Sequence, residues 1–388
     1  MGSGALEADG QSSQKARRAR FKSARKRIAD LILGKSTSTD VDIAGEFGLS
    51  RDVLGEYVTL DWAHCQDITA FTEAVRAYST DQSRRRPLNL MMQAEPGSGK
   101  SHFIKCVARA MAKEGIKEVT FNMSSLQGID DFIHPLEAVR NLKVIDRLPL
   151  LFLDEFDSDD RHFATLLPLL WDGELNVRSR QLQIGKAVIV LAGSGARIAA
   201  LMQAASGMHP GPVAGDSKLT DLLSRINGGV LTIPGLDELN GERNRRVDKV
   251  CLTLSLLQQR FGSSLIRAPW GFLTFIANTE FRYGVRSIAH LIDLLPARVA
   301  GSNSLTKTDL TLPFESLSAL KASSLAYHVV VEDGPASLVE AWKRAMTAEA
   351  TVSFDRPKLS WLARLREGDR AAKRRTPGAQ YTHGARKD

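Results

Sequence analysis

Gln93-Ala-Glu-Pro-Gly-Ser-Gly-Lys-Ser101 decides how this chain is read. It follows an apolar run, Leu88-Asn-Leu-Met-Met-Gln93, and leads into His102-Phe-Ile-Lys-Cys-Val-Ala-Arg-Ala-Met-Ala112, which has helical spacing. Strand, glycine-rich loop and helix stand in the order that a phosphate-cradling loop requires. Gly97 and Gly99 can take backbone angles barred to other residues, which turns successive N–H groups toward one anion. The helix behind adds its positive end. Glu95, Pro96, Gly97, Ser98, Gly99, Lys100, Ser101 and His102 are therefore the candidate triphosphate-binding residues. Lys100 is expected to reach the β- and γ-phosphates, and Ser101 to supply a hydroxyl to Mg²⁺. One departure stands out: the motif ordinarily opens on glycine, and here that position is Ala94.

About fifty residues on, Leu150-Leu-Phe-Leu-Asp-Glu155 is an uncharged strand ending in two carboxylates. Such an ending is unfavourable unless something positive receives it. Asp154 suits an outer ligand to the Mg²⁺, and Glu155 a general base on the attacking water. The expected cofactors are thus ATP and Mg²⁺, and the expected activity is Mg-dependent ATP hydrolysis.

Further apolar segments at 118–122, 187–192 and 229–233 join those at 88–93 and 149–153. With helical stretches between them they predict an α/β fold, a P-loop parallel five-stranded sheet with flanking helices. After Pro234 the chain reads as helical over 240–261, 269–279 and 285–298, the size of a small α-helical lid.

On these residues the chain resembles the AAA+ ATPases over roughly 55–300. Lys186-Ala-Val-Ile-Val-Leu-Ala-Gly-Ser194 resembles the strand carrying a polar sensor of the lytic water, with Ser194 in that place. Leu219–Pro234 is similar to the segment supplying an arginine finger, with Arg225 the candidate. Tyr283–Leu295 is similar to a second sensor opening a lid helix, with Arg286 the candidate. A cation at that helix start runs against the dipole, as functional residues often do. Leu166–Gly173 followed by Glu174–Ile184 resembles the helix and hairpin of Clp-type members. The resemblance implies that Glu155, Ser194, Arg225 and Arg286 are catalytic, that the finger acts on a neighbour's nucleotide, and that the chain forms a homo-oligomeric ring or spiral, most often a hexamer.

The segments expected from this reading are a basic N-terminal arm and helix (1–35), a helical segment and linker (36–87), the nucleotide-binding domain (88–235), the lid (236–302), an extension (303–362) and a basic disordered tail (363–388). Within them, residues 1–14 read as disordered, Lys15–Gly34 as helix and Thr69–Tyr78 as a helix outside the sheet. Ile43–Gly55 has the flavour of a helix-turn-helix opening, but no clear recognition helix follows it; an amphipathic helix is expected near 335–349.

Charge is distributed unevenly. Residues 1–27 carry eight basic side chains against Glu7 and Asp9, and 364–388 carry eight against Glu367, Asp369 and Asp388. The formal charge of +8 therefore lies at the ends, and the stretch between them is slightly acidic. Such arms suit phosphate backbones or acidic partners. No apolar stretch approaches the roughly 20 residues that span a bilayer. Cys65, Cys106 and Cys251 lack metal-ligand spacing, so a cytoplasmic, reducing setting is expected.

For the substrate, the sequence leaves three readings. One is an ATPase remodelling a protein or nucleoprotein client. Another is a DNA-acting ATPase: a loader, translocase or transposition and recombination regulator. The third is a nucleotide-gated assembly platform. Asn122–Phe132, where family unfoldases carry an aromatic pore loop, has Gly128 and Ile129 without a preceding ring. Arg178 and Arg180 in the expected hairpin suit a channel that meets phosphates.

Overall fold

Strands buried on both faces read as continuous apolar runs, whereas half-exposed ones alternate. The chain holds several of the first kind, and they form its centre. The computed structural model describes residues 3–32, 40–178, 180–193, 217–236, 245–261, 267–295 and His328. In chain order the helices are α1 (Ser3–Ile32), α2 (Ala44–Ser50), α3 (Trp62–Thr80), α4 (Lys100–Ala110), α5 (Ile133–Val144), α6 (Phe163–Asp172), α7 (Ser217–Ser224), α8 (Arg246–Phe261), α9 (Trp270–Asn278) and α10 (Val285–Asp293). The strands are β1 (Asp40–Asp42), β2 (Leu88–Ala94), β3 (Ile116–Asn122), β4 (Leu148–Asp154), β5 (Glu174–Val177), β6 (Arg180–Gln183), β7 (Val188–Gly193), β8 (Val230–Ile233) and β9 (Arg267–Pro269).

The chain divides into two units. The first holds residues 1–25, 45–255 and 283–286; the second holds 26–44, 256–282 and 287–388.

In the first unit, five strands form a sheet in the order β3-β4-β7-β2-β8, every neighbouring pair parallel. Its two faces are divided by residue parity. Leu90, Met92, Leu150, Phe152, Val188 and Val190 join Ile68, Phe71 and Val75 of α3 and Phe103, Ile104 and Val107 of α4. Met91, Leu151, Leu153, Ile189 and Leu191 face the other way, onto Leu136 and Val139 of α5, Phe163, Leu166 and Leu169 of α6, and Leu222 of α7. A side chain such as Phe152, with no exposure, contributes about 3–5 kcal/mol by the usual cost of truncation to alanine. This is the expected α/β P-loop sheet with helices on both faces. The antiparallel hairpin β5-β6 also forms where the sequence placed it.

Two helix starts differ from the sequence reading, each for a local reason. Helix α1 begins at Ser3, whereas residues 1–14 were expected to be disordered; Ala5, Leu6, Glu7 and Ala8 are strong helix formers despite the polar surroundings. Helix α3 begins at Trp62 rather than Thr69, because the Asp61 carboxylate caps it, accepting from the Ala63 N–H at 3.0 Å and the His64 N–H at 3.3 Å. After Ile43, α2 is followed by turns, and the next helix, α3, buries its apolar face against the sheet, so no recognition helix follows there.

Within the first unit, buried polar pairing ties residues 21–25 of α1 and 245–248 at the start of α8 to the segment leading into α3. Phe21 packs edge-on against Trp62 with ring centroids 5.5 Å apart. The Asp248 carboxylate, fully enclosed, accepts from the Leu60 N–H at 2.8 Å and from the Thr59 hydroxyl at 3.2 Å. It also pairs with Arg25 at 3.3 Å and Arg245 at 3.6 Å. Burial alone would raise its pKa, but the Arg245 and Arg25 guanidiniums and the Leu60 N–H hold it below the ordinary carboxylate value.

In the second unit, β1 pairs antiparallel with β9. Pro269, expected in the first turn of a helix, instead closes β9, and α9 starts at Trp270. Phe272, Leu273, Phe275 and Ile276 of α9 are buried. The helices α8, α9 and α10 occupy the segment read as a lid. The amphipathic segment near 335–349 and the basic tail at 363–388 lie outside the described residues.

Candidate functional site

The C-terminal ends of β2, β4 and β7 lie side by side, because Met91 pairs with Leu191 and Asp154 with Ala192. In parallel sheets this edge collects the ligands. The loop Glu95–Gly99 leaves β2 there. Gly97 has φ of 80° and Gly99 φ of 94°, both left-handed, and α4 starts immediately behind at Lys100. Gly97 is required twice over, since a Cβ on it would stand 2.2 Å from the Tyr283 carbonyl oxygen. The Val285 N–H in turn donates to the Gly97 carbonyl at 3.0 Å. Arg286 is thereby placed one residue beyond a direct bond to the loop, with an exposed side chain.

Ala94 takes an ordinary strand conformation. It is the last residue of β2 and pairs with Ile233 of β8, so the usual glycine is not needed at that position.

Lys100 is buried at 9% exposure although it carries a charge, and such burial calls for a counter-charge. Ser101 and Asp154 meet: the Ser101 hydroxyl donates to Asp154 Oδ2 at 3.1 Å. The Glu155 N–H returns to Asp154 Oδ1 at 3.1 Å. Glu155 itself has φ of 54°, left-handed for a residue with a side chain. Such a conformation costs on the order of 1–3 kcal/mol and is held only where neighbours enforce it. Here the Phe156 N–H bonded to the Ala192 carbonyl at 3.2 Å, together with the fully buried Phe156 ring, does so. The Ser98 hydroxyl is buried and, among the described residues, has no hydrogen-bond partner. A group in that state suits a ligand oxygen.

The remaining loop residues are less central. The Glu95 carboxylate lies over Gly235, where a Cβ would meet its Oε2 at 2.7 Å. The His102 ring is turned away, 3.4 Å from the Glu56 carbonyl and 6.4 Å from the Tyr57 ring centre. A ring so engaged leaves His102 its backbone N–H to offer the loop.

Magnesium takes oxygen ligands and keeps several waters, so one or two protein oxygens suffice beside phosphates. The hydroxyl of Ser101 and the carboxylate of Asp154 form such a pair. Among the described residues no cluster of three or more His, Cys, Asp or Glu is present that would favour another metal.

Ser194 lies outside the described residues, which resume only at 217; β7 is described as far as Gly193. Arg225 is not brought to this edge. Its carbonyl accepts from the Asn89 amide at 2.9 Å, and Asn89 is the second residue of β2. The loop follows Ala94, five residues on, or about 17 Å at strand rise. The Arg225 guanidinium donates to the Leu167 carbonyl and pairs with Asp221, both at 3.3 Å, and its centre is 5.8 Å from the Trp171 ring.

The sequence reading did not single out Asn89. Its signal was present, a lone amide within an apolar strand, and its partners explain it. Fully buried, it donates to the Leu170 carbonyl at 2.6 Å as well as to Arg225. Its own N–H donates to Asn227 Oδ1 at 2.8 Å, and Asn227 donates to the Pro87 carbonyl at 3.1 Å. Arg178, at the hairpin, is ion-paired with Asp130 of the turn after β3. That pairing reduces the free charge it would bring to a channel, while Arg180 stays exposed.

No protein-family model matches the chain, and no curated protein matches it. Among solved structures it is similar to a chain of the S. cerevisiae Hsp104–ADP complex, at 17% identity and a TM-score of 0.35. That likeness covers 57% of this chain and 40% of the Hsp104 chain, so this chain spans less than half of its length. It is also similar to NtrX from Brucella abortus in complex with ATP, at 14% identity and a TM-score of 0.43, over 82% of this chain and 70% of that one. What defines the fold is the sheet itself, with its glycine loop behind β2 and its acid pair at the end of β4. The fold is that of a P-loop NTPase. The resemblance to AAA+ ATPases carried by the motifs holds at that level.

Proposed function

We propose that this chain binds ATP with Mg²⁺ at the edge formed by β2 and β4, hydrolyses it, and uses the cycle within an oligomer to remodel a protein or nucleoprotein partner. The observation that carries the site is the Ser101–Asp154 contact at 3.1 Å, which joins two segments more than fifty residues apart. The N–H groups of Gly97 to Ser101 would cradle the phosphates, and the Lys100 ammonium would offset charge on the β- and γ-oxygens. Ser101 and Asp154 would hold the Mg²⁺, which when bound neutralises phosphate charge. Glu155, turned by its left-handed backbone, is the group that would orient the attacking water and accept its proton. Ser194 is carried forward as the polar sensor on the motif resemblance alone.

The position of Arg225 supports a finger acting between subunits. Within one chain it is tied to the opening of β2 and not to the loop at its far end, so its route to a γ-phosphate is through a neighbour. Arg286 adjoins the Val285–Gly97 bond, which supports a role in which it would report phosphate loss to α10.

Calorimetric titration with ATP and Mg²⁺ tests the site. Lys100→Ala is expected to abolish binding, and Glu155→Gln to retain binding while losing turnover. Undiminished ATP affinity in Lys100→Ala would remove the assignment. ATPase rates with duplex DNA, single-stranded DNA or an unfolded protein then identify the client as whichever raises turnover.

A further inference from the structure

Helix α1 divides its charges by direction. Arg17 and Arg25 are committed inward: Arg17 donates to the Asp52 carbonyl at 3.2 Å and pairs with its carboxylate, and Arg25 pairs with buried Asp248. On the same side Phe21 and Ala24 are buried. Lys15, Arg18 and Lys22 are all exposed, at spacings of three and four that keep them in one row. Arg20 is exposed too, on another side of the helix. From Gln11 to Ala29 the helix holds no acidic residue.

We infer that this outward face of α1 docks on the phosphate backbone of a duplex nucleic acid. Three features select that partner. The row carries one sign only, and the stretch between the two basic ends is slightly acidic, so this helix is one of two places where positive charge gathers along the chain. Apart from the basic side chains, the exposed positions from Ser12 to Ser23 hold only Ser, Gln and Ala, so there is no apolar centre of the kind a protein interface needs. The one aromatic ring, Phe21, is buried against Trp62, so no stacking platform is offered to unpaired bases. Cations in a regular row on a rigid rod, interleaved with small side chains, fit a regular array of phosphates. The inference stands apart from the nucleotide site, since none of these residues belongs to it.

Fluorescence anisotropy with the full chain and a 30-base-pair DNA duplex, over 50–200 mM NaCl, tests it. The comparison is between the natural chain and a triple variant, Lys15→Gln with Arg18→Gln and Lys22→Gln. Each phosphate contact contributes about 0.9 to the slope of log affinity against log salt, so the slope should shrink by about 2 to 3 in the variant. The C-terminal basic segment is present in both proteins and cancels in the difference. Circular dichroism and basal ATP turnover should be unchanged, which separates lost docking from lost folding. A duplex RNA arm distinguishes the two duplexes, and binding to either supports the inference. An equal slope in both proteins would overturn it. So would tighter binding, through the same three residues, to polyglutamate or to a dT30 strand than to either duplex.

Discussion

The Val285 N–H donates to the Gly97 carbonyl at 3.0 Å, so the first residue of α10 is bonded directly to the phosphate loop. The Tyr283 carbonyl closes on Gly97 from the same side, leaving no room for a Cβ. Loop and helix start are one construction, and Arg286 follows from it.

Gly97→Ala should therefore disturb more than one residue. It must adopt φ of 80° and displace the Tyr283 carbonyl. The backbone conformation alone costs on the order of 1–3 kcal/mol in such a residue. ATP affinity measured by titration should fall at least about tenfold, equivalent to about 1.4 kcal/mol. Unaltered affinity would show that the segment 283–285 yields freely.

Asn89→Leu should leave ATP affinity unchanged while lowering kcat. The substitution strips the Leu170 and Arg225 carbonyls of their donor and loosens the segment that carries the finger candidate. Each buried carbonyl left unsatisfied costs about 1–3 kcal/mol, so the melting temperature should fall too. A merely structural role would lower stability without separating kcat from KM.

Arg225→Ala should bind ATP normally, with turnover reduced on the order of 10²–10⁴. Mixed with Glu155→Gln chains, it should recover part of that turnover, because each defect then lies on a different side of a shared site. No recovery on mixing would argue for an action within one chain.

Acid should weaken the first unit through Asp248. Its carboxyl titrates below the ordinary value of about 3.9 when folded, so its contribution is complete above that pH and disappears as pH falls through the folded value. Asp248→Asn should be less stable at neutral pH by about 3–5 kcal/mol, the usual consequence of breaking a buried ion pair. Urea denaturation should show the gap from the natural chain narrowing only below about pH 4.

Sheet and loop were legible from sequence because both are local. The run Leu88–Gln93 became β2 with one residue added, and 149–153 became β4 with one added at each end. That Gly97, Lys100, Ser101 and Asp154 come to one edge needs only spacing to be anticipated. What escaped depends on partners distant in the chain. Nothing beside Asn89 announces Arg225, and nothing beside Gly97 announces Tyr283. Asp248 reads as an ordinary helix-surface acid until Leu60 and Arg245 are found around it. The early starts of α1 and α3 were missed for a different reason: apolar periodicity is weak there, and helix propensity or a capping carboxylate decides instead.

Ala94 shows how tightly one side of a glycine-rich loop can be tethered. Because it is zipped to Ile233, the hinge on the β2 side of the loop is clamped. Reverting it to glycine would add freedom mainly to the denatured chain, at about 0.4–1 kcal/mol. Any rearrangement of the loop is thereby confined to the stretch after residue 94, an asymmetric door with one fixed jamb.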